Sequence, residues 1–394
     1  MLLLNSMIVL TFIVQLGHSE SALQASGSKT WTVDDDGPAD FRTIQGAINA
    51  ANDGDTVFVR RGVYYEHVNV NKTLLVIAEI RNSSIIDAGY SGTAVNVTAN
   101  GVWIDDLAIR NAAQSAVSVF GDNDRISGVG IYSNTSSGFP EQQIGIEVHS
   151  SGNIIEKCEI FDSYNAGIVI TVNTGAEKNT SNNVVTGNEI AYGGDGVVLL
   201  GRQITDSPSV YNNRIIGNII HNNSSNSAGI HLYMTYRNNI AYNTLQENGE
   251  GILLEYSPSI QGFQGNTVHH NNFVNNAHNA LVTTLSLNNS LDDGSEGNYW
   301  SDYSGVDANR DGIGDSPYIC DESNRDNYPL IRPIIQGDAN RDGIVNIKDA
   351  SLVGSSWLSR RGESRYNSHV DFNMDGTINI KDIAIISVNW QKHL

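Results

Sequence analysis

Near the C-terminus, oxygen-bearing side chains recur at a spacing suited to a hard cation. Asp338, Asn340, Asp342, Asn346 and Asp349 fall at positions 1, 3, 5, 9 and 12 of a loop, with Gly343 at position 6 and the Ile344 carbonyl at position 7. Asp371, Asn373, Asp375, Asn379 and Asp382, with Gly376 and the Thr377 carbonyl, repeat this set 33 residues later. Oxygen donors in this pattern, with glycine at the sharp turn, make a calcium loop of EF-hand type. A partial third copy lies upstream. Asp307, Asn309, Asp311, Gly312 and Ile313 repeat the first loop, and Asp315 supplies position 9, but Tyr318 stands at position 12. Asp321, Glu322 and Asp326 are candidates to replace the missing carboxylate. The expectation is two calcium ions near the C-terminus and one more in the 307–315 loop.

Loops of this kind need helices to hold them. Ala350, Val353 and Trp357, and then Ile383, Ile386 and Trp390, are spaced to share one helical face after each loop. Two loop-helix units over residues 337–394 resemble a type I dockerin. That resemblance implies a module that folds on calcium and binds a cohesin-bearing partner. Its recognition positions fall on Ile347, Lys348, Ile380 and Lys381, where clostridial cellulosomal members usually carry Ser-Thr. Pro317 opposes a helix after the 307–315 loop, so residues 296–336 read as a calcium-loop cap and linker.

The 394 residues suffice for two or three domains. A net charge of −20 excludes a nucleic-acid-binding role, which needs a basic surface. Residues 2–14 form an apolar run broken by Asn5, Ser6 and Thr11, read as part of a signal peptide over 1–25. The chain is therefore expected to be secreted, extracellular or associated with the cell surface, without a membrane span after cleavage. Cys158 and Cys320 fall in different segments, and a disulfide is not the default expectation.

The long middle repeats. A Gly- or Ala-led apolar strand is anchored at Val95, Val117, Ile146, Ile168, Val197, Ile230, Ile252 and Leu281, at intervals of 22 residues plus insertions. A second strand is anchored at Ile109, Ile131, Ile160, Ile190, Ile220, Leu245 and Phe273. Short strands at such a period predict the coils of a solenoid. Asn188, Asn218, Asn243 and Asn271 each stand two residues before a second anchor, with Cys158 in the same slot one coil earlier. Asparagine there would hydrogen-bond from coil to coil and supply the left-handed corner. The expected fold is all-β, a right-handed parallel β-helix over 30–295, followed by the small all-α dockerin. Phe41, Ile44, Ala47, Ile48 and Ala51 share a helical face suited to capping the first coil.

The run from Thr43 to Val59 with Gly62-Val63-Tyr64 resembles the opening of pectin-lyase-like β-helix proteins. The coils and Asn298-Tyr-Trp-Ser-Asp-Tyr303 resemble the NosD-type family of copper-binding and carbohydrate-binding β-helices. The resemblance implies a glycan-binding rod, a polysaccharide-active enzyme (lyase, hydrolase or epimerase) or a copper-binding accessory protein.

Insertions at 172–182, 200–210 and 256–264 gather beside an outward row of His149, Thr171, Leu200, Tyr233 and Glu255. Aromatic rings stack on sugars, and arginine grips uronic carboxylates. Arg202, Tyr233, Tyr236, Arg237 and Tyr256 are therefore candidate carbohydrate-binding residues. Catalytic candidates are weaker. Glu159 and Glu189 would lie about one strand spacing apart, near the separation of a retaining glycosidase pair, and Glu255 joins them. Imidazole suits copper, but His269 and His270, as neighbours on a strand, should point to opposite faces.

Overall fold

The structure, a computed structural model, describes residues 27–133, 142–173, 178–202, 209–255, 265–283 and 289–393. The signal-peptide reading falls on residues outside that set, as does Tyr256. Two compact units are present, Ser28–Arg332 and a second that includes Pro333–Leu394.

Ser28–Arg332 is a parallel β-helix. Its first sheet holds ten parallel strands, from Thr30–Val33 to Thr267–His269. The second holds nine, from Val68–Val70 to His278–Val282, and the third ten, from Gly62–Tyr64 to Tyr299–Trp300. The sequence-derived anchors mark the inner columns of the second and third sheets, with one shift. Ile252 pairs with Ala280, not Leu281, which turns outward and is 40% exposed. The first sheet's column of Ile104, Ile126, Ile155, Val185, Ile215, Ile240 and Val268 completes the core.

Corners explain the asparagines. A left-handed residue precedes Asn188, Asn218, Asn243 and Asn271, as Lys157 precedes Cys158: Lys157, Gly187, Gly217, Tyr242 and His270 have φ between 54° and 68°. The left-handed position is thus the residue before the ladder, not the asparagine itself. Its side chain is free to turn in, where its Oδ1 accepts from the backbone N–H and Nδ2 of the asparagine one coil earlier. Asn188, Asn218, Asn243, Asn271 and Asn298 form such a ladder, started by Cys158 and ended by Asp326, which accepts from the Asn298 N–H. A second ladder runs from Asp124 through Asn153, Asn183, Asn213, Asn238 and Asn266 to Asn289. A shorter third joins Asn223, Asn248 and Asn276. Most buried polar groups at the corners are thereby satisfied in line, Asp124 Oδ2 and Asn223 Nδ2 excepted.

Glycine leads the second-sheet strands for a steric reason. A Cβ on Gly229 would lie 2.7 Å from Leu245 Cδ2, and one on Gly251 2.7 Å from Phe273 Cδ1. The inner residues of the third sheet occupy that space. At the start, helix α1 (Ile44–Ala50) buries Ile44, Ala47 and Ile48 over the first coil. Glu66 accepts from the Ile44 and Gln45 amides at its N-terminus, and Lys72 donates to the Ile48, Asn49 and Ala51 carbonyls at its C-terminus. Both charges oppose the helix dipole. At the other end, Phe273, Trp300 and Tyr318 stack at successive centroid distances of 4.3 Å, so residues 296–332 belong to the β-helix unit.

The second unit pairs α2 (Ile347–Ser355) with α3 (Ile380–Val388). Val345, Val353, Val370, Phe372, Ile378 and Ile386 are its core. Both helices end before Trp357 and Trp390; Trp390 is 38% exposed. The halves exchange backbone bonds with a common 33-residue offset. Leu358 and Ser359 pair with Ile378, and Gln391 and Lys392 pair with Val345.

Candidate functional site

In the second unit the loop residues that open each helix also cap it. Asn346 Oδ1 accepts from the Lys348 amide, and Asp349 Oδ2 accepts from the Asn346 amide at 2.8 Å. Asn379 and Asp382 repeat the capping box. Glycine at position 6 has φ of 83° at Gly343 and 81° at Gly376, and Asp338 and Asp371 accept from those glycine amides at 2.8 and 2.9 Å. Asp338 Oδ1, in the first loop, and Asp382 Oδ1, in the second, are buried with no hydrogen-bond partner. Burial raises the pKa of Asp338 and Asp371, with neighbouring acids adding to it, and pushes Asp382 up to about 6. Orphaned, crowded carboxylate oxygens beside Asn340, Asp342, Ile344, Asn373, Asp375 and Thr377 fit a calcium ion in each loop. Lys348 reaches Asp342 Oδ2 at 2.7 Å, and Lys381 reaches Asp375 Oδ2 at 3.5 Å. Ile347 and Ile380 beside them are 69% and 51% exposed.

The 307–315 loop shares the backbone signature, with Arg310 at φ 64° and Gly312 at φ 91°. Asp307 accepts from the Gly312 amide, and Asp315 accepts from the Ala308 amide at 2.8 Å. Asn309, Asp311 and Ile313 keep the turn bonds of the other loops. The candidates for position 12 are otherwise engaged or exposed. Asp326 is buried and accepts from the Asn298 amide and Trp300 Nε1, Asp321 accepts from the Ser323 and Asn324 amides of its own turn, and Glu322 is exposed.

On the second sheet the outward residues Ser118, Glu147, Val169, Val198, His231 and Leu253 stand in register. Beside them run His149, Thr171, Leu200, Tyr233 and Glu255. Val169 and Val198 are 8% exposed and pack with Ala166 and Ile144 as a small apolar floor. Each end of that floor carries a histidine held by carboxylates. His149 Nε2 lies 3.3 Å from Glu147, and its ring stacks on Phe120. His231 Nδ1 lies 3.2 Å from Asp195, and its Nε2 lies 2.8 Å from Glu255. Burial alone would lower the His231 pKa; the bonds and charges of Asp195 and Glu255 outweigh it and raise it.

Other candidates are scattered. Tyr233 stands on the second-sheet face; Arg202 follows its register partner Leu200, Arg237 lies four residues after it, and both are exposed. Tyr236 is only 5% exposed, its backbone bridged to Tyr211, so its ring is not available to stack on a sugar. Glu159 and Glu189 are in register on the third sheet, but Arg81 pairs with Glu159 at 2.9 Å and His221 with Glu189 at 3.1 Å. Each carboxylate thus has a partner of its own. His269 and His270 do not point apart. The left-handed backbone at His270 breaks strand alternation and brings the two Nδ1 atoms to 2.5 Å. Among the described residues, no helix is long and apolar enough to cross a membrane.

Residues 48–305 match the family described as periplasmic copper-binding protein (NosD), and residues 336–389 match the type I dockerin domain. No curated protein matches the chain. Similar solved structures include a pectate lyase (TM-score 0.44, 12% identity, 72% of this chain and 83% of that one). A mannuronan C-5 epimerase A-module from Azotobacter vinelandii gives 0.41 and 14%, over 66% of this chain and 84% of that one. An alginate lyase from Paenibacillus sp. str. FPU-7 gives 0.39 and 14%, over 65% and 98%. A three-sheet parallel β-helix, matched over most of its coils, places this chain in the NosD family, and a type I dockerin follows it.

Proposed function

We propose that this is a secreted or cell-surface protein whose β-helix holds a glycan or surface polymer while its dockerin tethers it, in calcium, to a cohesin-bearing partner. One observation carries the glycan reading: the second-sheet face, where an apolar floor of Ala166, Val169 and Val198 lies between two histidine-carboxylate groups, with Leu200 and Tyr233 alongside. Glu147 and His231 are three strands apart, about 14 Å. Apolar surface suits the faces of sugar rings, and the polar ends suit their hydroxyls. For docking, Ile347, Lys348, Ile380 and Lys381 are the contact residues, and their exposure at the start of two equivalent helices supports that role. Calcium would fill both dockerin loops and the 307–315 loop.

A polysaccharide-active enzyme is the second reading, and His231 favours it. An imidazole between Asp195 and Glu255 with a raised pKa can hold a proton for transfer. The test is retention of the full chain on immobilised neutral and uronic polysaccharides in millimolar calcium, with reducing and unsaturated ends assayed together. Retention without product, weakened by Tyr233→Ala with Arg237→Ala, supports the adhesive reading. Product lost in His231→Gln replaces it with the enzymatic one. No retention and no product overturns both.

A further inference from the structure

The third sheet carries an aromatic row. Tyr132, Phe161, Ala191 and His221 stand in register on successive coils. At the corner after Ala191, Tyr192 has φ 62° and is 58% exposed. Asp162 and Asn222 fill the same left-handed corner on the coils either side, at φ 59° and 54°. Aspartate and asparagine enter that region readily, whereas a bulky tyrosine does so at a cost. The Tyr192 ring stands between Phe161 and His221, with centroids 6.1 and 5.6 Å away. The rings are not coplanar. Interplanar angles of 50° and 80° make Tyr192 a ridge with a cleft on each side. Beside it, His221 Nε2 lies 3.1 Å from Glu189 Oε1, and His221 Nδ1 accepts from Asn222 Nδ2 at 2.9 Å. A ring that accepts at Nδ1 is the neutral imidazole. Glu189, its side chain 47% exposed, therefore keeps its negative charge uncancelled, whereas Arg81 cancels Glu159 one strand back.

We propose that this ridge binds a proline-rich, extended segment of a partner protein that carries a flanking lysine or arginine. Two strand spacings separate Phe161 from His221, about 9.5 Å. One turn of a polyproline II helix advances about 9.3 Å. The two prolines of a Pro-x-x-Pro turn therefore rest on Phe161 and His221, either side of the Tyr192 ring. The Glu189 carboxylate then meets the basic flank. A polyproline segment is already stiff, so it loses little entropy on docking and a small platform suffices. The ring angles disfavour a sugar chain here, because consecutive sugar faces stack on rings that lie flat along the chain. The seven prolines of this sequence include no Pro-x-x-Pro, so the segment is a partner's. The site shares no residue with the second-sheet face or the dockerin loops.

The test uses the full chain in millimolar calcium and fluorescence anisotropy of labelled peptides: a Pro-x-x-Pro repeat with one arginine, and the same peptide with alanine for each proline. Wild type is expected to bind the first saturably and the second not at all. Tyr192→Asn removes the ridge and suits the left-handed backbone, so it should weaken binding about tenfold with an unchanged melting temperature. Phe161→Leu should weaken it by a similar factor. Glu189→Gln should cost about two- to fivefold, as an exposed ion pair does. Replacing the peptide arginine by alanine should cost the same, and the two changes together no more than either alone. Tyr65→Ser, at a tyrosine 76% exposed near the start of the β-helix, should leave binding unchanged. Equal binding of the alanine peptide would overturn the proposal, as would a Tyr192→Asn chain that binds like wild type. Failure of wild type to bind the peptide, with retention on a neutral polysaccharide that Tyr192→Asn weakens, would make the row a sugar platform and also overturn it.

Discussion

Asparagine and aspartate do opposite work in the two units. In the β-helix they stand in lines, each amide bonded to the next, so the corners satisfy one another. In the dockerin the same residue types crowd into two separate loops, and Asp338 in the first and Asp382 in the second each leave a buried oxygen without a partner. A line of amides closes on itself; a ring of acids needs a cation. The β-helix also has a continuous apolar core, whereas the dockerin core is a small cluster around Val353, Phe372 and Ile386. Units that small seldom stand on their hydrophobic core alone. The contrast predicts a calcium-independent β-helix and a calcium-dependent dockerin.

The largest expected effect breaks the dockerin alone. Asp342→Ala with Asp375→Ala should unfold it in calcium, with loss of helical circular dichroism and of two calcium sites by calorimetry, while the β-helix transition stays in place. Unchanged calcium binding would refute the ligand assignment. Next comes a break in a line. Asn218→Ala strands the Asn188 amide groups and the Val185 carbonyl, and should cost the β-helix about 3–5 kcal/mol in denaturant unfolding. A cost below about 1 kcal/mol would mean the ladder is incidental. Asp307→Ala is a smaller perturbation. It should remove a weak calcium site and lower the β-helix transition slightly, because Trp300 and Tyr318 still close that end.

The smallest effect sharpens the comparison through pH. Asp124 starts one ladder, and burial pushes its carboxyl up to about 7. A folded-state pKa above the unfolded value near 3.8 means stability is full below pH 4 and falls as pH rises to about 7. Asp124→Asn should therefore raise the melting temperature at pH 8 and leave it unchanged near pH 3.5. A uniform shift at both pH values would show that the carboxyl is not the cause.

Much of this was legible in the chain. The 33-residue repeat located the calcium loops, because ligand chemistry fixes residue types at fixed steps. Inner columns of the second and third sheets were legible because Ile, Val and Leu recur at the coil period. The first sheet was missed, since its anchors lie among other apolar residues without a leading glycine. Two further ladders were missed as well, although Asn183, Asn188 and then Asn213, Asn218, Asn223 repeat at five-residue steps that signal one asparagine per corner. The paired rings of His269 and His270 were not legible from strand alternation, which holds only while φ is negative. Nor was the burial of Tyr236, which depends on its bridge to Tyr211 across the coil.

Scanning calorimetry of the full chain, in millimolar calcium and then in excess chelator, tests the central contrast most directly. Two transitions are expected in calcium. Chelator should abolish the dockerin transition and move the β-helix transition by only a few degrees, the part due to the 307–315 loop. Loss of both transitions together, or a dockerin transition that survives chelation, would contradict the account.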